Sequence, residues 1–330
     1  MALAERMSDL LPPCPITGRP ARRRVHGVST RALLAMWRVV GAGDLSHLFP
    51  EAPQVVLYES DTGLYFFTPA VAGDAGFYQH FYATHAAHAT LSAHSEARRE
   101  FVNAARYITA GSQVLDVGCG SGAFREHLPL GTYRGLDPYA EAGVAADVIR
   151  QSLPEHVDEA RGRYDAVTAF QVIEHVADPL AFTRQLVALL RPGGTLIICA
   201  PLHPSPLTEI PNFLINAPPH HLTWWTASAC QALADAVGVE ALEIVAVAAS
   251  PHEAIVYWMH RFSLLRPRPG RPGIDERYFA HRWSWHLNLA LSYLLARLAT
   301  AVLPPPRGGR PCNVMLIARS PLDSTRDRPD

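Results

Sequence analysis

The sequence predicts an α/β fold in which a seven-stranded, mostly parallel sheet carries helices on both faces. Short apolar runs alternate with helical patterns from residue 112 onward, as in parallel sheets whose strands are joined by crossover helices. The 330 residues are 48% hydrophobic and 18% charged. The chain is therefore long and apolar enough to bury the core that such a sheet requires.

Seven stretches are predicted as strands because each is short, apolar and bounded by turn residues. In chain order they are "SQVLDVG", "YRGLD", "VAADVI", "RYDAVTAF", "TLIICAP", "ALEIVAVAA" and "CNVMLIAR". Helices are predicted within 81–110, from "GAFREHL" onward, and from Pro179 with Asp178 as the N-cap. A further helix spans about Ala227 to Val237 and ends at Gly238.

Three other segments adjoin or interrupt the main domain, which we place at residues 81–320. Residues 1–80 are rich in Pro and Gly and predict a small irregular module with short strands at "QVVLYE" and "LYFFTP". Residues 250–311 are far too long for the short connection usual between the last two strands, so they predict a helical insertion. Residues 321–330 are polar and predict a disordered tail.

Composition excludes several classes of function. A net charge of −1 gives no indication of a nucleic-acid partner. All 29 basic residues are Arg, which excludes a Schiff-base lysine and the lysine of a phosphate-binding P-loop. The five cysteines are scattered, and neither a signal-peptide core nor a membrane-spanning run is found. We therefore expect a cytoplasmic protein with reduced thiols.

The stretch "VLDVGCGSGAF" ends an apolar strand on an aspartate and continues into three alternating glycines. Gly118, Gly120 and Ala123 fit the loose dinucleotide-binding pattern, although a tight turn without a ligand fits it too. The charge of Asp116 distinguishes a dinucleotide from other ligands that this turn could bind. It would oppose the pyrophosphate of a dinucleotide, whereas it suits a cofactor that carries an ammonium and a sulfonium group but no phosphate. S-adenosylmethionine is such a cofactor.

A second acid, Asp137, ends the next predicted strand in "YRGLDPY". A carboxylate at this position can accept hydrogen bonds from both hydroxyls of an adenosine ribose. The alternative is an N-cap for the following helix, which Pro138 would suit. We expect ribose binding.

Four landmarks together resemble the class I S-adenosylmethionine-dependent methyltransferases, over about residues 82–320. They are "VLDVGCGSG", "GLD", "YDAVTAFQVIEHVADP" and "LLRPGGTLIICAP", in this order. The resemblance implies a Rossmann-like sheet and S-adenosyl-L-methionine as the cofactor. It also implies that the glycine turn holds the methionine part, that the acid after the second strand holds the ribose, and that the segment after the fourth strand borders the methyl group. The residues so implied are Asp116, Gly118, Gly120, Gly122, Asp137, Phe170, Gln171, Glu174 and His175. For the adenine amine the sequence offers Asp147 as a candidate, and that pocket stays unassigned.

Methyl transfer to a hydroxyl group or a carbon acid needs a base, and histidine is the natural one near neutral pH. His175 follows the fourth predicted strand, and "NAPPHHLTWWT" places His220 and His221 after the fifth. Open α/β sheets bind ligands at these carboxyl ends of strands. We expect at least one of the three to be the base, the alternative for each being a loop or helix-cap hydrogen bond. Trp224 and Trp225 form either a substrate platform or part of the core.

The N-terminal module resembles, in outline, the zinc-ribbon start of some methyltransferases of sugars and secondary metabolites. There a Cys-x-x-Cys pair precedes each glycine, whereas here the pairs are Cys14 with Thr17 and Glu59 with Thr62. Tetrahedral zinc takes four ligands, so the single remaining thiol predicts a degenerate module without metal. No metal ligands are predicted elsewhere in the chain either.

We expect methyl transfer to O or C of a small-molecule acceptor, either a sugar or glycan precursor or a secondary metabolite. A phenol or quinone O-methyltransferase is the alternative within the same class, because "VIEHV" also occurs in such enzymes. A catalytically silent S-adenosylmethionine-binding subunit and a dehydrogenase are alternatives of other classes.

The insertion contains a helix-length apolar stretch, "WSWHLNLALSYLLARLATAVL", that stops at three prolines. Six of its apolar residues recur at helical spacing and make one continuous face. They are Leu287, Leu291, Leu294, Leu295, Leu298 and Val302. This face packs on the domain or on the partner of a homodimer, or it makes a peripheral membrane contact through residues 281–303. In each case we expect the insertion to border the acceptor cleft.

Overall fold

A computed structural model describes residues 11–84, 98–140, 145–250, 253–267, 278–303 and 310–322. Its strands are β1 (Arg23–Ser29), β2 (Gln54–Glu59), β3 (Tyr65–Thr68), β4 (Gln113–Val117), β5 (Thr132–Leu136), β6 (Val148–Ile149), β7 (Tyr164–Phe170), β8 (Leu190–Pro201), β9 (Thr223–Trp224), β10 (Glu240–Val247) and β11 (Asn313–Arg319). Its helices are α1 (Thr30–Val39), α2 (Ala75–Thr84), α3 (Arg99–Ala105), α4 (Leu153–Ala160), α5 (Pro179–Leu189), α6 (Ala227–Val237), α7 (Ala254–Phe262) and α8 (Trp283–Val302).

The main sheet has the strand order β10–β11–β8–β7–β4–β5–β6. The five strands from β8 to β6 are parallel, and β11 runs antiparallel between β8 and β10. The predicted seven-stranded, mostly parallel sheet is confirmed. Parallel strands end at the same edge of a sheet, so the segments that follow β4, β5, β7 and β8 are brought together there.

Helices cover both faces of this sheet, because successive side chains of a strand point to opposite sides. On β4, Leu115 and Val117 belong to the core layer that α4, α5 and α6 close. Val114 belongs to the other layer, together with Phe101 of α3 and Phe124. Asp116 alternates with Leu115 and Val117, so its carboxyl group points to the α3 side of the sheet.

A second, antiparallel sheet has the order β1–β2–β3–β9. The sequence predicts β2 and β3 but not their partner β9, which comes from the loop after β8. Residues of both regions share one core cluster, in which Trp37 and Phe67 pack with Trp224. The N-terminal region is therefore joined to the site-bearing loop through a common sheet and a common core. Cys14 lies in the core with 1% exposure, and Glu59 is ion-paired with Arg23.

Some predicted elements are shorter than expected. The segment "GAFREHL" forms a 3₁₀ turn at Ala123–His127 instead of starting an α-helix, because Pro129 and Gly131 follow it and cannot continue a helix. The third strand has the two residues of β6. Residues 85–97 of the predicted leading helix lie outside the described residues, as do residues 323–330 of the predicted tail.

The insertion forms α7 and α8, which pack against each other. The side of α8 that meets α7 buries the small residues Ser292, Ala296 and Ala299, and Leu289 packs beside them. The six apolar residues predicted to form a face lie on the other side, between 45% exposed at Leu295 and 78% at Val302. Among the described helices, none is long and apolar enough to cross a membrane.

Candidate functional site

The glycine turn follows β4 at the edge where the parallel strands end. Gly118 and Gly120 have φ angles of 70° and 54°, in the left-handed region that favours glycine. A Cβ on Gly118 would lie 2.4 Å from Cγ2 of Val172, so the turn packs closely on the segment after β7. A Cβ on Gly120 would meet nothing within 4 Å, which leaves this point of the turn open to a ligand.

The carboxyl group of Asp116 is buried beside this turn. The hydroxyl of Thr168 donates to Oδ1 at 2.8 Å, and the hydroxyl of Tyr133 donates to Oδ2 at 3.0 Å. Burial raises the pKa of Asp116 to about 6, against the lowering effect of the two hydroxyl bonds. The residue is 3% exposed, so Asp116 can act on a ligand through its charge or through a bridging water.

Arg98 is a charged neighbour of the turn that the sequence did not reveal. Its Nε donates to Oε1 of Glu100 at 2.8 Å, and its guanidinium lies 4.0 Å from the centroid of the Phe101 ring. Its positive charge lowers the pKa of Asp116. The α3 side of the turn thus presents a cation and an anion together, as a ligand with an ammonium and a carboxylate group would require.

Asp137 follows β5, and its carboxylate reaches the same turn. Oδ2 accepts the backbone N–H of Gly120 at 2.9 Å, and Oδ1 accepts the N–H of Tyr139 at 2.8 Å. Asp137 therefore holds the backbone of Gly120 and Tyr139 in place. Accepting the N–H of Tyr139 resembles the N-cap role that the sequence offered as the alternative to ribose binding. Each carboxylate oxygen has a further lone pair, so these bonds leave Asp137 able to accept the two hydroxyls of a ribose.

Asp147, the candidate for the adenine amine, lies near the far side of the turn. Its Oδ1 accepts a hydrogen bond from Nη1 of Arg125 at 2.6 Å. The same Nη1 lies 3.4 Å from where a Cβ on Gly122 would be. A separate cavity of about 600 Å³, whose lining includes Gln113 and Thr132, contains none of the predicted site residues.

The end of β7 carries Phe170 and Gln171. The Phe170 ring packs against Phe124 with a centroid distance of 4.8 Å, so this side chain belongs to the core. Gln171 has a φ of 58°, and its Nε2 donates to Oδ1 of Asn313 at 3.2 Å. Asn313 donates in turn to Oε1 of Glu253 at 2.9 Å. These bonds join the end of β7 to β11 and to the start of the insertion.

The 3₁₀ turn Ile173–His175 carries a fully buried acid. Glu174 is 0% exposed, and neither of its carboxyl oxygens has a hydrogen-bond partner among the described residues. Burial raises the pKa of Glu174 to about 8. Its Oε1 lies 3.8 Å from Nε2 of His175. Its backbone carbonyl accepts the N–H of Leu222 at 2.7 Å, which fastens this turn to the loop after β8.

That loop brings His220 and His221 against His175. The ring centroid of His175 lies 4.6 Å from that of His220 and 4.9 Å from that of His221. Nδ1 of His175 donates to the backbone carbonyl of His220 at 2.6 Å. The three histidines that the sequence singled out are therefore one cluster, with His220 and His221 only 4% and 5% exposed.

Two tyrosines lie between this cluster and Asp137. The ring of Tyr78 is 5.8 Å from that of His175 and 6.1 Å from that of Tyr139, measured between centroids. Tyr139 is two residues beyond Asp137 and is 58% exposed. Tyr78 comes from α2. A residue that precedes the predicted main domain, residues 81–320, therefore lines the site.

Trp224 and Trp225 are core residues, each 1% exposed. The indole N–H of Trp224 donates to the carbonyl of Asn216 at 2.8 Å, and that of Trp225 donates to Oγ1 of Thr223 at 3.0 Å. Of the two readings from the sequence, core packing is the one that the structure shows, and the substrate platform is wrong.

The family model of a methyltransferase domain matches residues 84–244. These residues are just under half of the chain, and over them the chain is similar to the methyltransferase domain family. The matched range contains the glycine turn, Asp116, Asp137 and the histidine cluster, whereas Tyr78, Glu253 and Asn313 lie outside it.

Curated relatives match the chain over shorter stretches. The ubiquinone biosynthesis O-methyltransferase of Xanthomonas axonopodis pv. citri is 40% identical over 121 residues, which are 33% of this chain and 50% of the relative. The protein of that name from Erwinia tasmaniensis is 36% identical over 97 residues, 26% of this chain and 40% of the relative. The chain thus spans half the length, or less, of these curated relatives.

Solved structures of methyltransferases also resemble the chain. The 1,6-didemethyltoxoflavin-N1-methyltransferase of Burkholderia thailandensis, solved with S-adenosylhomocysteine, has a TM-score of 0.46 and 14% identity, covering 83% of this chain and 98% of its own. A SAM-dependent methyltransferase from Archaeoglobus fulgidus has a TM-score of 0.39 and 18% identity, covering 68% of this chain and 95% of its own.

Proposed function

We propose that the chain transfers the methyl group of S-adenosyl-L-methionine to a hydroxyl oxygen of a small-molecule acceptor. The observation that carries the proposal is the meeting of two acids and three histidines at one edge of the sheet. Asp116 and Asp137 flank the open glycine turn, and the histidine cluster adjoins it through Val172 and the turn Ile173–His175.

The cofactor assignment rests on charge and on hydrogen-bonding capacity. Asp137 accepts the ribose hydroxyls, and the backbone of the glycine turn approaches the methionine part. The buried charge of Asp116 favours the ammonium and sulfonium groups, while Arg98 pairs with the carboxylate. Phe170 and Gln171 border the methyl group through their backbone, and Asp147 is the candidate for the adenine amine.

The reaction needs alignment and the removal of one proton. The acceptor oxygen forms a bond to the methyl carbon, and the bond between that carbon and sulfur breaks with its electron pair staying on sulfur. The hydroxyl proton passes to Nε2 of a histidine. His175 is suited to this role because its Nδ1–H is held by the carbonyl of His220 at 2.6 Å, which leaves a lone pair on Nε2.

For the acceptor we favour a phenol or quinol of apolar character over a sugar or glycan precursor. The two curated relatives described above carry the name ubiquinone biosynthesis O-methyltransferase. Mass spectrometry after incubation with the methyl donor and either a catechol or a sugar-nucleotide panel distinguishes the two classes. Binding of the cofactor without turnover on either panel or on a metabolite extract would favour the silent binding subunit.

The side of α8 that carries the six exposed apolar residues Leu287, Leu291, Leu294, Leu295, Leu298 and Val302 is called the outer face of α8 here. It supports a lipid surface as a partner. Trp283 and Leu298 are 78% and 59% exposed, and interfacial helices carry such aromatic and aliphatic residues next to cations. Arg282 and Arg297 are exposed beside them and can meet anionic lipid. A second copy of the chain is the other occupant that would cover this face, and sedimentation equilibrium tests for it.

The compartment that we propose is the cytoplasm, because all five cysteines are unpaired.

A further inference from the structure

The spacing of the three imidazoles is close to that of the ligands of one metal ion. One ring nitrogen from each of His175, His220 and His221 lies within 4.8 Å of those from the other two. A point equidistant from three atoms at that spacing is about 2.8 Å from each, about 0.7 Å more than a Zn–N bond of about 2.1 Å. Small rotations of the rings therefore suffice to bring all three nitrogens onto a shared ion.

Hydrogen bonds to backbone carbonyls fix the tautomers of two of the rings. Nδ1 of His175 lies 2.6 Å from the carbonyl oxygen of His220, and Nδ1 of His220 lies 3.0 Å from that of Ile215. A carbonyl oxygen only accepts, so each Nδ1 carries the proton and each Nε2 presents its lone pair. Histidines that bind metals have this arrangement, in which the other ring N–H donates to a carbonyl or a carboxylate.

Glu174 supplies an independent observation. Its carboxyl group is completely buried, and its two oxygens have no hydrogen-bond partner among the described residues. Buried polar atoms without partners are rare in folded proteins. Its Oε1 lies 3.8 Å from Nε2 of His175, so a cation at the imidazoles would be the missing partner of this acid.

We propose that His175, His220 and His221 bind one divalent transition-metal ion, with Glu174 as the adjoining carboxylate. Neutral imidazoles suit Zn²⁺, Fe²⁺, Ni²⁺ and Cu²⁺ rather than Mg²⁺ or Ca²⁺, which prefer oxygen ligands. We name Zn²⁺, because a set of three histidines with one open position is typical of its catalytic sites.

The catalytic role of the ion rests on the proposed function. The His175 side chain is 16% exposed, whereas His220 and His221 are almost fully buried, so an acceptor would reach a bound ion from the His175 side. An acceptor hydroxyl bound there loses its proton to solvent more readily, because a bound divalent cation lowers the pKa of a coordinated oxygen. A bound ion would thus supply the activation of the acceptor that the histidine base supplies in the metal-free protein.

Metal titration of the untagged full chain tests the site. The protein is stripped with a chelator, dialysed, and titrated with Zn²⁺ by calorimetry and with Co²⁺ by visible absorption. We expect one equivalent per chain, with the intense visible bands of tetrahedral Co²⁺. Glu174→Gln should weaken Zn²⁺ binding by about 10- to 100-fold, as expected for an outer partner, and His220→Ala or His221→Ala should weaken it more.

His47→Ala is the matched control, because His47 is exposed and lies outside the cluster, paired with Asp74 at 3.2 Å; it should bind Zn²⁺ as the wild type does. Zn²⁺ should raise the melting temperature of wild type and His47→Ala but not of the double variant His220→Ala/His221→Ala. Equal Zn²⁺ affinity in wild type and the double variant would overturn the metal site. Binding of S-adenosylhomocysteine to the stripped wild type is measured separately, so failure of the cofactor proposal is distinguishable from failure of the metal site.

Discussion

The Nδ1–H of His175 donates to the backbone carbonyl oxygen of His220 at 2.6 Å. This bond joins the turn after β7 to the loop after β8, and the N–H of Leu222 donating to the carbonyl of Glu174 joins them a second time. The two segments are thereby held as one wall of the site. The orientation of His175 is consequently set by the loop that carries the other two histidines.

Replacing each histidine should separate catalysis from cofactor binding. We expect His175→Ala, His220→Ala and His221→Ala to keep the affinity for S-adenosylhomocysteine within a few fold, and at least one to slow turnover by about 10²-fold or more. Single-turnover rates and calorimetry on the same preparations measure both. His47→Ala should keep the wild-type rate. Near-normal rates in all three cluster variants would contradict a histidine base, and catalysis would then depend on the positioning of the acceptor and the methyl donor alone.

Replacing Asp137 should weaken cofactor binding. In the proposed function Asp137 accepts two charge-assisted hydrogen bonds from the ribose, so we expect Asp137→Ala to lose roughly 2–4 kcal/mol in calorimetry with S-adenosylhomocysteine. Asp137 also accepts the N–H groups of Gly120 and Tyr139. Asp137→Asn is therefore the control, since it keeps one acceptor oxygen and the side-chain volume. Undiminished affinity of the Ala variant would remove Asp137 from the site.

Asp116 should make both stability and binding depend on pH. Burial raises its pKa from 3.8 to about 6 in the folded, ligand-free protein. The folded state then holds the proton more tightly than the unfolded state, so the contribution of Asp116 to stability falls as pH rises from about 4 to about 6 and is constant above about 7. A shift of about two units corresponds to roughly 3 kcal/mol. A cationic cofactor favours the ionised carboxylate, so its affinity should instead fall as pH drops through about 6.

Asp116→Asn isolates this effect. The hydroxyls of Thr168 and Tyr133 can each donate or accept, so an amide fits between them. We expect the variant to lose the Asp116 contribution to the pH dependence of unfolding between about 4 and 6, and to bind the cofactor weakly at every pH. Urea titrations and calorimetry over this pH range provide the measurements. An unchanged pH profile of cofactor affinity in the variant would assign the dependence to another group.

The local parts of the fold and of the cofactor site could be predicted from the sequence. Asp178 and Pro179 mark the start of α5, and Gly238 marks the end of α6, because caps and breakers act on neighbouring residues. Asp116 and Asp137 could be placed at one edge because parallel strands all end on the same side.

Contacts between distant segments could not be predicted in the same way. The convergence of His175 with His220 and His221 depends on how the loop after β8 folds back, and no periodicity encodes that path. The effect of the Arg98 charge on Asp116 and the pairing of β9 with β3 are likewise tertiary. The metal site proposed above has no signal in the sequence for this reason, since its three histidines come from two segments whose spacing matches no local motif.

Gly118→Ala should destabilise the fold through both backbone and packing. An L-residue at a φ of 70° costs about 1–2 kcal/mol, and the new Cβ would lie 2.4 Å from Cγ2 of Val172, adding about 1–3 kcal/mol of overpacking. Gly162→Ala is the control, because its φ is 67° and a Cβ there meets nothing within 4 Å. We expect the urea midpoint of Gly118→Ala to fall below that of Gly162→Ala. Adding Val172→Ala to Gly118→Ala should recover part of the difference in urea midpoint. If it recovers none, the close approach to Val172 is not the cause of the destabilisation.

The outer face of α8 should bind anionic vesicles in a salt-sensitive manner. Leu291 and Leu298 are 47% and 59% exposed, so Leu291→Glu/Leu298→Glu should leave the fold intact while it opposes insertion of the helix into the headgroup region. Co-sedimentation with phosphatidylglycerol vesicles at low and high salt measures the effect. Leu130→Glu is the control, since Leu130 is 90% exposed and lies in the segment before β5, outside α8. If wild-type protein stays in the supernatant at low salt and sediments as a dimer at equilibrium, the face is covered by a second copy of the chain, and the lipid proposal is wrong. If vesicles bind wild type and Leu130→Glu but not the double variant, the apolar residues of α8 carry the contact with lipid, and loss of wild-type binding at high salt assigns a further share to the cations beside α8.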